Sequence, residues 1–355
     1  KKKKIYILYN KEFLIFVIFY IYLIFNSLLL TQTSDGIVRA LGFIRFPLLA
    51  LAIGYYFSIK DGKYQKKILN FWFIIFLIVT IDILFEFIIG FNLIGIKSAY
   101  PGRIASFTGD ELKIGGYYFG FILLAILYAN FNLKKYTYFF IIFFLITSLL
   151  IGERANFLKV FFIISILLLF LDKKSLIKKT SLIFGLIIFV FLILKMSESH
   201  YNRFINQIFH NINKNDIKSL VRTNQHLGHY YTAIEIFKKN IFFGVGIKNF
   251  RNVSHEKKYN PIENFNGGTT HPHQFHFELL SELGLVGYLL LLGILIYFIN
   301  KGLKTYFKNK NLLNLCSAIF ILATILPLIP SGSFFSSYTA TIFWVNFSFM
   351  FRKNT

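Results

Sequence analysis

The sequence predicts an all-α protein, a polytopic transmembrane helical bundle of about 10 to 12 spans with one long, partly helical loop outside the membrane. Three observations predict this class. Hydrophobic residues make up 55% of the 355 residues, with 46 Phe and 21 Tyr, a composition too apolar for an ordinary soluble domain. The apolar residues are gathered in repeated runs of about 20, the length that crosses a bilayer as a helix. Short loops separate these runs, except for one stretch of 75 residues at 196–270.

Ten apolar runs are predicted to cross the membrane. They lie near residues 12–30, 37–59, 68–90, 112–130, 135–151, 155–171, 176–195, 274–299, 312–329 and 334–351. The long loop separates seven of these spans from the last three. The sequence therefore predicts three regions: spans 1 to 7 in residues 1–195, a loop with surface helices in 196–272, and spans 8 to 10 in 273–355.

Lysine and arginine are unevenly distributed between the loops. Alternate connections, together with the two termini, hold 21 of the 39 basic residues. Cytoplasmic loops carry such an excess, so both termini are predicted to be cytoplasmic. The net charge of +23 is thus explained by membrane topology and not by nucleic-acid binding. The less common polar residues collect in the opposite loops, on the outer side of the membrane. Nucleotide sugars are absent on that side, so an enzyme there would need a sugar donor that is linked to a lipid.

Charged residues inside the second and third spans are expected to pair. Asp82 and Glu86 are four apart and share a helix face. Arg39 and Arg45 lie at about the same depth in the preceding span. Because charges inside a membrane are costly, we expect a structural pair such as Arg45 with Asp82. A proton pathway through the two carboxylates is the alternative.

Two arginines occupy short loops on the outer side, where positive charge is otherwise avoided. Arg103 follows a Pro-Gly turn, and the acidic Glu111 near the start of the next span suits a helix N-terminus. Arg154 lies in a tight link beside Glu153. Its guanidinium is either the partner of Glu153 or is directed at an anion in the membrane interface, for which its planar fork of donors is suited.

Three histidines, in the sequence His-Pro-His-Gln-Phe-His at 271–276, precede the eighth span. Pro272 suits a first helical position, so His273 and His276 are predicted to share one face of the helix. Three interpretations are open: solvated or capping histidines, a metal site, or a catalytic base. Only a histidine pair is visible where a metal would need three or four ligands, so no metal is expected.

Residues 252–270, rich in Asn, Lys, Gly and Thr, are expected to form a mobile lid.

The segment 273–287 resembles the signature His-Asn-x-x-Leu-x-x-Leu-x-Glu-x-Gly-x-x-Gly of the O-antigen ligase and polymerase superfamily. Its histidine is matched by His273 and its later positions by Glu282, Gly284 and Gly287, whereas Gln274 and Phe277 replace the usual Asn and Leu. Three further segments are similar to family motifs in the same order: the loop with Arg103, the turn with Arg154, and Arg222 followed by a helix at 225–239 and a Gly-x-Gly run.

The resemblance implies a metal-independent, inverting glycosyltransferase without a cofactor, in the inner (cytoplasmic) membrane of a bacterium and with its active site on the periplasmic side. The donor would be a glycan on undecaprenyl diphosphate, bound among membrane lipids. The acceptor would be a sugar hydroxyl on lipid A core for a ligase, or on another lipid-linked glycan for a polymerase. A transporter of lipid-linked sugars is the alternative of another class, for which broken helices would be expected.

The resemblance also implies roles for individual residues. His273 is the expected base that takes the proton of the acceptor hydroxyl. Arg222 and Arg154 are expected to stabilise the diphosphate leaving group, because fixed positive charge acts strongly in a dehydrated site. These groups are expected to converge in one pocket. The further substrate-binding candidates are Arg103, Glu111, His276 and Arg251.

Overall fold

The computed structural model describes residues 11–31, 34–58, 62–111, 113–171, 175–196, 198–206, 217–262, 265 and 267–352. Within these ranges the regular structure is entirely helical. The α-helices are α1 (Lys11–Leu30), α2 (Ser34–Gly42), α3 (Arg45–Tyr56), α4 (Gly62–Ile89), α5 (Ile114–Asn132), α6 (Thr137–Leu150), α7 (Arg154–Leu171), α8 (Leu176–Met196), α9 (Glu198–Tyr201), α10 (Ile217–Thr223), α11 (Gln225–Lys239), α12 (Phe250–Val253), α13 (Phe275–Asn309), α14 (Leu312–Thr324) and α15 (Ser337–Phe347).

Seven segments in the described ranges are long and apolar enough to cross a membrane, so the predicted class, a polytopic helical membrane protein, is confirmed. They are α1, the continuous stretch Ser34–Tyr56 that joins α2 and α3, α4, α5, α7, α8 and α13. The other three predicted spans are also helical, but as shorter helices. These are α6 with 14 residues, α14 with 13 and α15 with 11.

The helices cluster into two compact units. The first contains residues 1–58 and 214–355, and the second contains residues 59–213. The division into three regions at residues 195 and 272 refers to position relative to the membrane and stays a prediction. Of the predicted surface helices in the long loop, residues 207–216 lie outside the described residues, whereas α11 ends at Asn240 as the sequence predicts.

In the first unit, the long helix α13 is broken at Gly284, which has φ 65° and ψ −170°. Residues 241–246 fill the break with their own backbone. Val245 N and Gly246 N donate to the carbonyls of Ser281 and Glu282 at 3.0 and 2.9 Å. Leu285 N and Val286 N donate to the carbonyls of Ile241 and Phe242 at 2.8 and 3.1 Å. Non-helical backbone at membrane depth is tolerated where protein groups satisfy it, as they do here.

Helix α1 closes the same joint from its other side. The Tyr22 hydroxyl donates to the carbonyl of Leu283 at 2.6 Å. The Asn26 amide donates to the carbonyl of Phe243 at 2.7 Å and accepts from Ile247 N at 3.1 Å. The buried Asn26 side chain thus binds residues 243 and 247 to α1. The segment that follows them, which contains Lys248, therefore has a fixed position relative to α1.

In the second unit, the two acidic residues of α4 hold the loop that follows the helix. Asp82 accepts from Leu93 N at 2.8 Å and from the Ser106 hydroxyl at 2.5 Å. Glu86 accepts from Ala105 N at 2.9 Å and Ser106 N at 2.6 Å. The prediction that Arg45 pairs with Asp82 is therefore wrong, because Leu93 N and the Ser106 hydroxyl of the loop supply the donors to Asp82. Arg45 instead donates to the Ser337 hydroxyl at 2.9 Å in the first unit.

Candidate functional site

His273 lies just before α13 and not inside it. The helix begins at Phe275, and the Gln274 side chain caps it by accepting from Phe277 N at 3.0 Å. The prediction that His273 and His276 share a helix face is therefore wrong. His273 has φ 58°, a left-handed conformation that is costly for a residue with a side chain. Its carbonyl accepts from Ser331 N at 2.8 Å, so this conformation is held from outside the segment.

Three histidines surround His273. Together with it they form what we call the imidazole cluster: His226, His229, His271 and His273. The ring of His273 lies in the middle. Its centroid is 3.9 Å from that of His271, 5.4 Å from that of His229 and 5.6 Å from that of His226. His226 and His229 come from α11, and the other two from the loop before α13.

The surroundings lower the pKa of three members of the imidazole cluster, which favours their neutral form. Burial, and after it the charges of neighbouring histidines, lower the pKa of His273 to about 3. Burial and the positive charges of Lys248 and Arg251 lower the pKa of His271 to about 4. Burial also lowers the pKa of His229. Neutral imidazoles keep a lone pair, so the cluster offers proton acceptors where a substrate hydroxyl could bind.

The ring of His276 is hydrogen-bonded to two other protein groups. Its Nε2 lies 2.8 Å from the carbonyl oxygen of Ile325, which can only accept, so this nitrogen carries the hydrogen. Its Nδ1 is 3.1 Å from the Tyr288 hydroxyl, which then donates to it. Both ring nitrogens are thus occupied by protein groups.

A buried ionic network is attached to the loop that fills the break in α13. Lys248 N donates to Glu282 Oε2 at 2.9 Å, and Lys248 Nζ lies 4.0 Å from Glu278 Oε1 and donates to the Ser333 hydroxyl. Ser333 in turn donates to Glu278 Oε1 at 2.5 Å, and Phe334 N donates to Glu278 Oε2 at 2.8 Å. These contacts link the loop before α12, the helix α13 and the loop before α15, which carries the Ser331 contact to His273.

The two candidate arginines of the first unit differ in burial. Arg251, in α12, is partly buried, and its Nε is buried without a hydrogen-bond partner among the described residues. Its charge acts on His271. Arg222 is exposed in the last turn of α10, two residues before Asn224, which caps α11. The structure thus places Arg251 beside the imidazole cluster and Arg222 at the surface.

The second unit contains a separate group of positive charges, which we call the arginine cluster: Arg103, Arg154 and Arg203. Arg154 Nη1 donates to the carbonyl of Arg203 at 3.0 Å, and Arg203 Nε donates to the carbonyl of Gly152 at 2.7 Å. Arg103 Nη2 pairs with Glu153 at 3.1 Å. The interpretation of Glu153 as the partner of Arg154 is thus replaced by a pair with Arg103.

The arginine cluster has an excess of positive charge. Burial, and after it the charges of Arg103 and Arg154, lower the pKa of Arg203 to about 10, while the charge of Glu153 acts in the opposite direction. Arg103 Nε is buried without a hydrogen-bond partner among the residues described. Three guanidinium groups around a single partnering carboxylate favour an anionic ligand.

Glu111, another predicted substrate-binding residue, is exposed and pairs with Lys113.

Sequence analysis missed several residues of both clusters. His226 and His229 are three apart in a stretch that was correctly predicted as a helix, and this spacing was a usable signal. Arg203 and Lys248 had no local signal, because only the folded chain brings them to their partners. The expected mobile lid is instead anchored: Tyr259 and Asn260 are buried, and Asn260 binds the backbone on both sides of it.

Among the described residues, no group of three or more His, Cys, Asp or Glu has an arrangement that could hold a metal ion. The four rings of the imidazole cluster pack against one another through their faces and edges. The arrangement is suited to accepting protons and hydrogen bonds.

Apolar helical spans, with an imidazole cluster and an arginine cluster among their connecting segments, define the class of multi-pass membrane proteins. The sequence model of the family described as O-antigen ligase matches residues 138–292. This match supports the resemblance to the O-antigen ligase and polymerase superfamily that the motifs predicted. The family implies a ligase- or polymerase-type glycosyltransferase with lipid-linked glycan substrates. No individual curated protein matches the chain.

Proposed function

We propose that the protein is an O-antigen ligase-like glycosyltransferase, which moves a glycan from undecaprenyl diphosphate to a sugar hydroxyl on lipid A core. The reaction takes place at the periplasmic face of the bacterial inner membrane. One observation carries the proposal: His273, in the matched family segment, has a lowered pKa and is held in a left-handed conformation at the centre of the imidazole cluster. A strained residue held by its surroundings is typical of a functional site.

The chemistry follows from a neutral imidazole and fixed cations. His273 takes the proton of the acceptor hydroxyl as its oxygen bonds to the anomeric carbon. The bond from this carbon to the diphosphate breaks on the opposite face, and its electron pair leaves with the diphosphate, so the configuration inverts. A diphosphate is a good leaving group without protonation, and no step of this transfer requires a metal.

Positive charge stabilises the departing diphosphate. We assign this role to Arg154 and Arg222, and the binding of the anionic donor to Arg103 and Arg251. The arginine cluster supports the first assignment, because it has an excess of guanidinium groups over carboxylates. The expected convergence of Arg154 and Arg222 with His273 stays a prediction. We leave His276 and Glu111 with structural roles, since both already have protein partners.

The proposal is tested by comparing His273→Ala with Lys66→Ala in cells that supply donor and acceptor. The first variant should lose glycan transfer while inserting normally into the membrane, and the second should retain it, because Lys66 lies in a predicted cytoplasmic segment. Loss of about 100-fold or more is expected when a general base is removed. Loss in both variants, or in neither, contradicts the proposal.

A polymerase of the same superfamily is the second candidate, because the family match covers both activities. Expression in two bacterial strains, one lacking its ligase and one lacking its polymerase, separates them. Long glycan attached to lipid A core in the first strain supports the ligase. Restored ladders of glycan length in the second strain support the polymerase.

A transporter of lipid-linked sugars is the candidate of another class, and the break in α13 at Gly284 is a feature that it would require. The backbone groups freed at a transporter's break coordinate its substrate. Here the carbonyls of Ser281, Glu282 and Leu283 all accept hydrogen bonds from protein groups. The break therefore favours a rigid joint, and the enzyme remains the better-supported function.

A further inference from the structure

His229 is a second imidazole whose protonation state is fixed by the fold. Its side chain is 5% exposed in α11, and its Nδ1 lies 2.9 Å from the carbonyl oxygen of Gly267. Because a carbonyl oxygen only accepts, Nδ1 carries the hydrogen and Nε2 holds the lone pair. Nε2 is buried and has no hydrogen-bond partner in the described part of the chain. A buried acceptor without a donor is unfavourable, and it is therefore available to a hydrogen from a neighbouring group.

The carbonyl group that orients His229 is itself held in place. The Asn260 side-chain oxygen accepts from Gly267 N and from the Thr232 hydroxyl, each at 2.9 Å. The Asn260 amide nitrogen donates to two backbone carbonyls, at 2.8 and 3.0 Å. The loop that carries Gly267 is thus fastened to α11 next to His229. This network fixes the imidazole in the way that outer hydrogen bonds orient functional histidines in other proteins.

The lone pair of His229 is within range of His273. The two ring centroids are 5.4 Å apart with an interplanar angle of 31°. When nitrogens of two imidazoles face each other across a hydrogen bond of about 3 Å, the ring centroids are roughly 5 Å apart. The His273 ring makes no hydrogen bond with any described residue, so its rotation toward His229 breaks none.

We propose that His229 is the positioning residue that accepts the proton from His273 during glycosyl transfer. This inference rests on the proposed function. As the acceptor oxygen bonds to the anomeric carbon and the diphosphate departs with the electron pair, the hydroxyl proton moves to one nitrogen of His273. The hydrogen on the other nitrogen of His273 moves to Nε2 of His229. The products are the new glycoside, the lipid diphosphate and an imidazolium at His229, which later releases its proton to water.

The surroundings favour this direction of transfer. His273 holds a proton poorly, because burial and the charges of three other histidines lower its pKa to about 3. The pKa of His229 is lowered by burial, but its hydrogen bond to Gly267 raises it in turn. The titratable groups that act on His273 are His271, His226 and His229, and Lys248 and Arg251 act in turn on His271.

The test compares His229→Gln with Lys238→Gln in the full-length protein, reconstituted in liposomes with lipid-linked glycan donor. Both residues lie in α11, but Lys238 is exposed and pairs with Glu235. We expect kcat to fall about 10- to 100-fold for His229→Gln with KM for the donor unchanged, and less than about twofold for Lys238→Gln. Equal losses in the two variants overturn the inference.

A chemical rescue distinguishes proton acceptance from a merely structural role. Imidazole added to His229→Ala should restore part of kcat, with a pH dependence that follows the pKa of free imidazole. Absence of rescue in a protein with unchanged thermal stability overturns the inference. The proposed function is checked separately: full transfer by His273→Ala refutes the base itself. An inactive His273→Ala together with a fully active His229→Gln refutes only the transfer to His229.

Discussion

Gly244 and Gly284 face each other's backbone across the break in α13. A side chain on Gly244 would collide with the backbone of Glu282, and one on Gly284 would collide with the backbone of Phe242. Both glycines have positive φ angles, 68° and 65°. The pair therefore lets two segments approach closely enough to exchange the hydrogen bonds that an unbroken helix would make internally.

The first prediction concerns this joint. Gly284→Ala should lower the free energy of unfolding by about 2 kcal/mol or more, because it adds both a collision and an unfavourable backbone conformation. Thermal unfolding in detergent measures the change. Gly293→Ala is the matched control in the same helix, since a side chain there meets nothing within 4 Å. Equal stability of the two variants would contradict the account of the joint.

The second prediction concerns the buried ionic network. Lys248→Met removes the cation beside the buried carboxyl of Glu278, so the free energy of unfolding should fall by about 3–5 kcal/mol. The double variant with Glu278→Gln should regain part of this loss, because it removes the uncompensated charge. Denaturant titration of the three proteins measures both effects. A stable Lys248→Met protein would show that Lys248 is dispensable for holding the two loops.

The third prediction is a pH dependence of stability. His273 has a folded pKa of about 3, below the usual value of 6.5, so the unfolded chain binds more protons between these values. Its contribution to stability is complete above about pH 6.5 and is lost as the pH falls toward 3. The loss should approach about 1.4 kcal/mol per pH unit in this window. Melting temperatures at pH 7.5 and 5 should differ less in His273→Gln than in the wild type.

The fourth prediction concerns Arg203, the member of the arginine cluster that sequence analysis missed. Arg203→Ala removes one of three guanidinium groups and the hydrogen bond to Gly152, so kcat/KM for the donor should fall about 10- to 100-fold. Transfer assays at several donor concentrations measure the loss. Asn202→Ala, next to it and exposed, should retain activity. Wild-type kinetics of Arg203→Ala would remove this residue from the proposed donor site.

The sequence predicted the helical class and the seven segments of the described ranges that are long and apolar enough to cross a membrane, because long apolar runs have few alternatives to a membrane helix. It also pointed to His273, Arg154 and Arg103 through short motifs. It misplaced the start of α13, since Pro272 suits a helix start but the Gln274 side chain provides the cap. Capping is decided by side-chain geometry, which composition does not reveal.

The features that sequence analysis missed depend on tertiary contacts. The partners of Asp82 are the backbone N–H of Leu93 and the hydroxyl of Ser106, which lie 11 and 24 positions later in the chain and carry no sequence signature as its partners. The break at Gly284 is filled by residues some 40 positions earlier in the chain. Lys248 meets Ser333 only after the loops fold together. Such contacts between distant segments are visible only in three dimensions.

The joint between residues 241–246 and α13 is built from main-chain atoms, which has a consequence for how this protein can vary. Peptide groups pair in the same way whatever side chains they carry, so the outward-facing Ile241 and Phe242 are free to be exchanged for other apolar residues. The exposed apolar surface at this joint can thus change in composition while the backbone pairing stays the same. The polar side chains next to the joint keep their positions when these apolar residues are exchanged.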